Sequence, residues 1–269
     1  MGGQCREVSK GIWLVGCGGW GGSEDKFSRP GDANVYLIDG GTELGLVDAG
    51  HGPEDPQILE NIRAAGFDPK RIGKILLTHA HNDHAEAADW IRKQTGARIY
   101  AGPVTARAIR EGERGIVGDL EPFQPFNPVK YEVDKEIEDG EEISLGKVHL
   151  DVMYTYGHSV DSVCYVTRMG GKKILFSGDT MVGRQTRKDF GGRTFAGMLG
   201  WLDGHWSAGL GTYVASLEKL AALKVDLMLP GHGVPNDKET TVGAIKAGIA
   251  SLKRVMNDLD LYVMFTVWR

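Results

Sequence analysis

Short apolar runs separated by glycine, proline and polar clusters recur along the chain, and two periodicities can be read in them. Residues 11–15 (Gly-Ile-Trp-Leu-Val) predict a first β-strand. Residues 34–38 and 43–47 flank Asp39-Gly40-Gly41, the turn chemistry of a hairpin. The 3.6-residue spacing over 58–65 predicts a helix closed by Gly66, and 85–93 reads as a second helix. Between them, 75–77 (Ile-Leu-Leu) is wholly apolar, as a strand covered on both faces should be. Further strands are predicted at 148–156, 162–167, 173–177 and 225–229, and helices at 213–223 and 242–256. Residues 118–128, rich in Pro and Phe, read as a loop, and 183–211 as a long glycine-rich stretch. Hairpins in the first half and strands alternating with helices in the second predict an α/β class with mixed sheets. The whole of 1–269 reads as one domain, with no internal repeat.

Composition narrows the partners. With 31 basic and 36 acidic residues the chain is mildly acidic, without the broad basic footprint that nucleic acid requires. No run is long enough to span a bilayer, so no membrane partner is expected. Leu14-Val15-Gly16-Cys17 has the look of a lipoprotein cleavage box, but no apolar segment of secretory length precedes it, and a strand is the better reading. Three scattered cysteines, Cys5, Cys17 and Cys164, do not make a disulfide framework. Cys164 reads as a buried, inert thiol, and the expected setting is the reducing cytoplasm. A homo-oligomer is compatible with the sequence, which does not fix the state.

The chemistry is concentrated in Thr78-His79-Ala80-His81-Asn82-Asp83-His84, a His-x-His-x-Asp-His pattern placed directly after the apolar strand at 75–77. A strand end followed by a turn can aim these side chains at one point. Imidazole suits zinc and similar ions, and a carboxylate adds charge for a second ion. Three more metal-capable residues follow apolar strands through a glycine: His158 after Gly157, Asp179 after Gly178, and His232 after Pro230-Gly231. In open α/β architectures sites form at that edge of the sheet. Taken singly, each would be read as a loop histidine or a turn cap; four strand ends sharing the feature outweigh that. His149 reads as an ordinary strand residue, and His51 and His205 are not expected to be ligands.

Together these residues resemble the ligand set of the metallo-β-lactamase-fold hydrolase superfamily, from about Asn34 to His232. The resemblance implies a four-layer αβ/βα sandwich of two mixed sheets with the site on one edge. It implies that His79, His81 and His158 hold one divalent ion, that Asp83, His84 and His232 hold a second, and that Asp179 bridges them. Asp48, in Leu46-Val47-Asp48-Ala49-Gly50, matches an early aspartate of the superfamily and would orient the ligand loop. Two ions, zinc first with iron or manganese as alternatives, would generate a hydroxide that attacks an ester, thioester or lactone carbonyl. In that scheme Asp179 positions the nucleophile, and Asp83 takes its proton and passes it to the leaving group.

The branch is less legible. Zinc β-lactamases lack a carboxylate at the position of Asp179, which argues against β-lactams. The best-known lactonases carry tyrosine where this chain has Val182. Glyoxalase-II-type thioesterases resemble the chain at Gly178-Asp179-Thr180-Met181 but have a longer basic segment after the position of His232; Lys246, Lys253 and Arg254 read here as a solvated helix face. Phe195, Met198, Trp201 and Trp206 in the 183–211 stretch, with Trp13 and Trp20, are expected to offer an apolar wall to an acyl substrate. A mononuclear iron dioxygenase acting on persulfides, a small-substrate phosphodiesterase and a non-enzymatic relative remain the alternatives. The last ranks lowest, because such relatives lose ligands and all seven are present.

Overall fold

The computed structural model describes residues 5–19, 26–117, 128–187, 193–195, 197–200 and 207–267, with no side-chain placement beyond residue 258 or at 186, 187, 193, 195 and 198. A first sheet of seven strands runs in sequence order: β1 (Arg6–Ser9), β2 (Ile12–Gly16), β3 (Val35–Asp39), β4 (Leu44–Val47), β5 (Ile72–Leu76), β6 (Arg98–Ala101) and β7 (Lys135–Glu136). The β1 to β4 pairings are antiparallel, and the β4 to β7 pairings are parallel. Helices α1 (Pro56–Ala64), α2 (Asn82–Ala85), α3 (Ala88–Thr95), α4 (Pro103–Glu111) and α5 (Arg114–Val117) lie in the connections.

The second sheet begins with β8 (Glu142–Leu145), β9 (Val148–Tyr154), β10 (Val163–Met169) and β11 (Lys172–Gly178). Two small ladders follow, from β12 (Met181–Val182), β13 (Gln185–Arg187), β14 (Arg193–Phe195) and β15 (Met198–Leu199). After α6 (Leu210–Leu223), β16 (Leu227–Pro230) joins β11 in parallel and β17 (Asn236–Asp237) closes the sheet. Helix α7 (Lys238–Val267) packs on α6.

Period-two alternation makes the layers. In β2, Ile12 and Leu14 face the inter-sheet core while Trp13 and Val15 face the outer core; in β3, Tyr36 and Ile38 face inward and Val35 and Leu37 outward. In β10, Val163 and Tyr165 enter the inter-sheet core, and Cys164 and Val166 pack under α6 and α7 beside Leu217, Leu220 and Ile245. Three apolar clusters between four layers are what the αβ/βα sandwich requires, so the expected class and mixed sheets are found.

Several boundaries differ for local reasons. Helix α1 starts at Pro56 because Asp55 caps it, accepting from Gln57 N at 3.1 Å; Gly66, at φ 89°, lies just past the cap residue Ala65. The helix expected at 85–93 is two: α2 ends at Ala85 and α3 begins at Ala88, so Asp83 and His84 sit in a helical turn and not in an open loop. The amides of His84 and Ala85 both reach His81 O at 3.0 Å, which winds that turn. Val225 precedes its strand, and α7 extends past both predicted ends. Strands β1, β6 and β8 and helix α4 are further elements, too short or too polar to stand out by pattern. Cys164 is fully buried and burial pushes its thiol up to about 11, fitting an inert core cysteine. Among the described residues, no helix is long and apolar enough to cross a membrane.

Candidate metal centre

Four strand ends and one helical turn converge on one edge of the sandwich. Strand β5 leads into His79 and His81, the turn of α2 carries Asp83 and His84, and β9, β11 and β16 lead into His158, Asp179 and His232. Their donor atoms fall into three overlapping groups: His79, His81 and His158; His79, His84 and Asp179; and Asp83, His84 and His232. All seven predicted ligands are therefore brought together, in three groups that overlap at His79 and His84.

The distances have the scale of coordination. His81 Nδ1 lies 3.2 Å from His158 Nε2. Two nitrogens 2.0–2.1 Å from a shared tetrahedral ion stand about 3.3–3.4 Å apart. Across the other half, His232 Nε2 is 3.0 Å from Asp83 Oδ2. Asp179 spans both: its Oδ1 is 3.4 Å from His84 Nε2, and its Oδ2 is 3.4 Å from His232 Nε2 and 3.8 Å from His158 Nε2. His79 Nε2, His84 Nε2 and Asp179 Oδ1 are buried without a hydrogen bond in the protein. Buried polar atoms left so are costly, and a cation at the centre would satisfy all three. The donor set fits divalent ions.

Electrostatics divide the halves further. Burial, reinforced by the neighbouring imidazoles, holds His79 well below the usual histidine range and His81 down at about 3, so both are neutral donors. Burial also acts to lower His232, but the carboxylates of Asp179 and Asp83 outweigh it and raise it to about 9. His84 is likewise raised well above its ordinary value against burial, by Asp83, Asp179 and Asp48. Burial would raise the two carboxyls; the His84 and His232 imidazoles reverse that, bringing Asp83 to about 2 and Asp179 well below the carboxylate range. Both stay ionised, the state a cation needs.

Glycines let the backbone close in. A Cβ on Gly231 would press into Asp179 Oδ1 and His84 Cε1, and one on Gly178, at φ 47°, would meet Thr78 Oγ1 at 2.7 Å.

The family model of the Metallo-beta-lactamase superfamily matches residues 28–232. The chain belongs to the metallo-beta-lactamase superfamily. Its fold agrees: a mutant of the HARLDQ-motif metallo-beta-lactamase of Cronobacter sakazakii superposes with a TM-score of 0.71 at 23% identity, over 96% of this chain and 98% of that one. Among curated relatives, "Probable metallo-hydrolase YqgX" of Bacillus subtilis is 28% identical over 215 residues, 77% of this chain and 88% of its own. "Acyl-coenzyme A thioesterase MBLAC2" of Gallus gallus is 28% identical over 236 residues, 78% of this chain and 76% of its own. The superfamily is one of metal-dependent hydrolases, and this member carries the His/Asp clusters suited to metal.

Asp48 lies beneath the ligands of this superfamily member. Its Oδ1 accepts from Thr78 N at 2.8 Å, and its Oδ2 lies 2.8 Å from His84 Nδ1 and 2.9 Å from Thr78 Oγ1. The remaining predictions fare unevenly. Phe195 lies on β14 and Met198 on β15, where Met198 pairs with Val182; their side chains are outside the described set, as are Trp20, Trp201, Trp206 and His205 altogether. Trp13 packs edge-on to Phe67, ring centroids 5.9 Å apart, on the outer core. His149 pairs with Glu142 at 2.9 Å on the exposed strand face, and His51 with Glu86 at 3.3 Å.

The pattern of the sequence did not mark three supports. Asn34 Nδ2 donates to Pro230 O at 2.9 Å and Gly233 O at 3.0 Å, and Tyr36 OH to Pro230 O at 2.8 Å, which brackets His232 from β3 and the residue before it. Asp161 underlies the loops of His81 and His158. A signal was available for the last: an acidic residue at the mouth of an otherwise apolar strand, three positions after a histidine.

Proposed function

We propose that this chain is a binuclear metal-dependent hydrolase, zinc being the first choice of ion, that cleaves an ester, thioester or lactone bond in a small substrate with an apolar acyl part. The observation that carries the reading is the placement of Asp179, whose two oxygens face donors of both halves. A set of seven convergent donors, His79, His81, Asp83, His84, His158, Asp179 and His232, would hold two ions and supports two over one. Ions bound there supply acidified water and a polarised carbonyl oxygen.

The protein supplies position. Asp179 holds the halves at a fixed spacing, and the neutral His79 and His81 add no charge that would repel an ion. In this reading Asp83, ionised and with its Oδ2 3.0 Å from His232 Nε2, accepts the proton released on attack and returns it to the leaving group. Similarity to a protein named as an acyl-coenzyme A thioesterase supports the acyl class. Val182 is a buried β12 residue, so the phenol of lactonases at that position has no counterpart here.

The experiment is a panel of ester, thioester, lactone, β-lactam and phosphodiester substrates against zinc-, manganese- and iron-loaded protein, with metal content measured alongside. Turnover of an acyl substrate with two ions per chain is expected. A single iron with oxygen consumed against a persulfide, or turnover of phosphodiesters alone, overturns the reading.

A further inference from the structure

The loops that carry His81 and His158 come from different sheets, and their ring nitrogens nevertheless meet at 3.2 Å. The backbone joins the two segments at their roots, where Val163 N donates to Thr78 O at 2.8 Å. Nearer the ligands, the link is a carboxylate. Asp161 Oδ2 accepts from the amide of Ala80, the residue between His79 and His81, at 2.8 Å. Its Oδ1 accepts a short hydrogen bond from the hydroxyl of Ser159, the residue after His158. A third donor, Thr105 Oγ1 at 2.9 Å, comes from the first turn of α4. Asp161 is 1% exposed, and these three contacts are neutral donors drawn from three separate segments.

A charged group buried this deeply costs stability unless its donors are well placed, and a purely structural filler here could have been apolar. What the carboxylate provides that an apolar group cannot is two acceptor atoms about 2.2 Å apart on a rigid plane, one for each ligand loop. Helix α4 helps to fix that plane through Thr105, whose hydroxyl donates to Oδ2 from the first turn of the helix.

We propose that Asp161 is the positioning residue of the three-histidine half, setting the separation of His81 from His158 by holding Ala80 N and Ser159 Oγ on one carboxyl group. This rests on the metal-centre reading above. The role is geometric. Asparagine keeps the plane, with its carbonyl oxygen accepting from Ala80 and Thr105 and its amide donating to Ser159, so it should substitute where alanine cannot.

The test is zinc affinity of the folded protein, measured by competition with a chromophoric chelator well below the melting temperature, for wild type, Asp161→Ala, Asp161→Asn and Ser159→Ala. Asp161→Ala is expected to weaken the binding of one of the two zinc ions by about 10–100-fold, the range for groups that orient ligands. Asp161→Asn should stay within about threefold of wild type, and Ser159→Ala should fall between. Wild-type affinity in a folded Asp161→Ala protein overturns the proposal, as does an asparagine variant as weak as alanine, since charge and not position would then be at work. If Asp161→Ala does not fold, Ser159→Ala decides: unchanged affinity overturns the proposal. A wild-type chain that binds no zinc removes the metal-centre reading itself, an outcome distinct from unchanged affinity in the variants.

Discussion

Nδ1 of His84 lies 2.8 Å from Oδ2 of Asp48, and Asp48 holds that contact from a left-handed backbone conformation, φ 62°. Few non-glycine residues adopt that region, Asp and Asn being the usual exceptions. The aspartate is there because its carboxylate must reach three donors at once: Thr78 N, Thr78 Oγ1 and His84 Nδ1. It thereby fixes which face of the His84 ring points into the centre.

Asp48→Asn tests that orientation without disturbing the backbone, since Asn tolerates the same φ. The amide nitrogen must confront either Thr78 N or His84 Nδ1, both donors. The variant is expected to fold and to lose about 10–100-fold in metal affinity, or in turnover at limiting metal. Chelator competition gives the first quantity, and initial rates across added zinc give the second.

Metal binding to the half built from Asp83, His84 and His232 should release protons. Asp83 and Asp179 raise His232 to about 9 and, with Asp48, raise His84 well above its ordinary value, so at pH 7 both rings carry a proton that coordination displaces. Affinity for this half is therefore expected to rise with pH, by about tenfold per unit for each proton displaced, until about pH 9. The rings of His79 and His81, already neutral, contribute no such dependence above about pH 4. Calorimetry in two buffers of different ionisation enthalpy counts the protons, and zero release at pH 7 would refute the charge assignment.

Gly231 precedes His232 and accepts Asn34 N at 2.6 Å while its amide donates to Gly178 O at 2.8 Å. Its φ is ordinary; the demand for glycine is one of space, because a Cβ would displace Asp179 Oδ1 and His84 Cε1. Gly231→Ala should therefore strip bound metal and lower turnover by at least about 100-fold, the scale of an ångström's misplacement of a catalytic group. Inductively coupled plasma analysis of the purified variant reads the first effect. Full metal content would show that the loop yields.

Much of the site is legible in the sequence. His79, His158, Asp179 and His232 can be read because each follows an apolar strand, and His81, Asp83 and His84 because they share one short motif with His79, features that lie within about ten residues of sequence. Asp48 is visible only by resemblance, since nothing local distinguishes it from a turn aspartate. Asn34 and Asp161 act across the sheets on Pro230 and Ala80, and no local pattern encodes a partner 196 or 81 positions away. Helix α4 and strand β6 are hidden for another reason: nine and four residues, with Arg98, Arg107 and Arg110 among them, carry too weak a period to separate from a loop.

A last prediction concerns stability and not catalysis. The carboxyl groups of Asp32 and Asp55 adjoin beneath the loop that follows Asp48, at 1% and 2% exposure. Asp32 Oδ1 takes His51 N at 2.7 Å and Asp55 Oδ1 caps α1, so neither carboxyl can turn away. Burial first, then the neighbouring carboxylate, raises Asp55 to about 7; burial raises Asp32 too, and Arg29 opposes both shifts only in part. An acid whose pKa is higher in the folded state binds more protons folded than unfolded throughout the interval between the two values. Stability from this pair is thus complete below about pH 4 and is lost as pH rises to about 7. Asp55→Asn replaces the shared proton with a permanent amide donor to Asp32. The variant is expected to melt higher than wild type at pH 8, on the order of 2–4 °C for each kcal/mol relieved, and to match it near pH 4. Thermal melts of the two proteins across pH 4–8 check this, and parallel curves would mean that the pair does not share a proton.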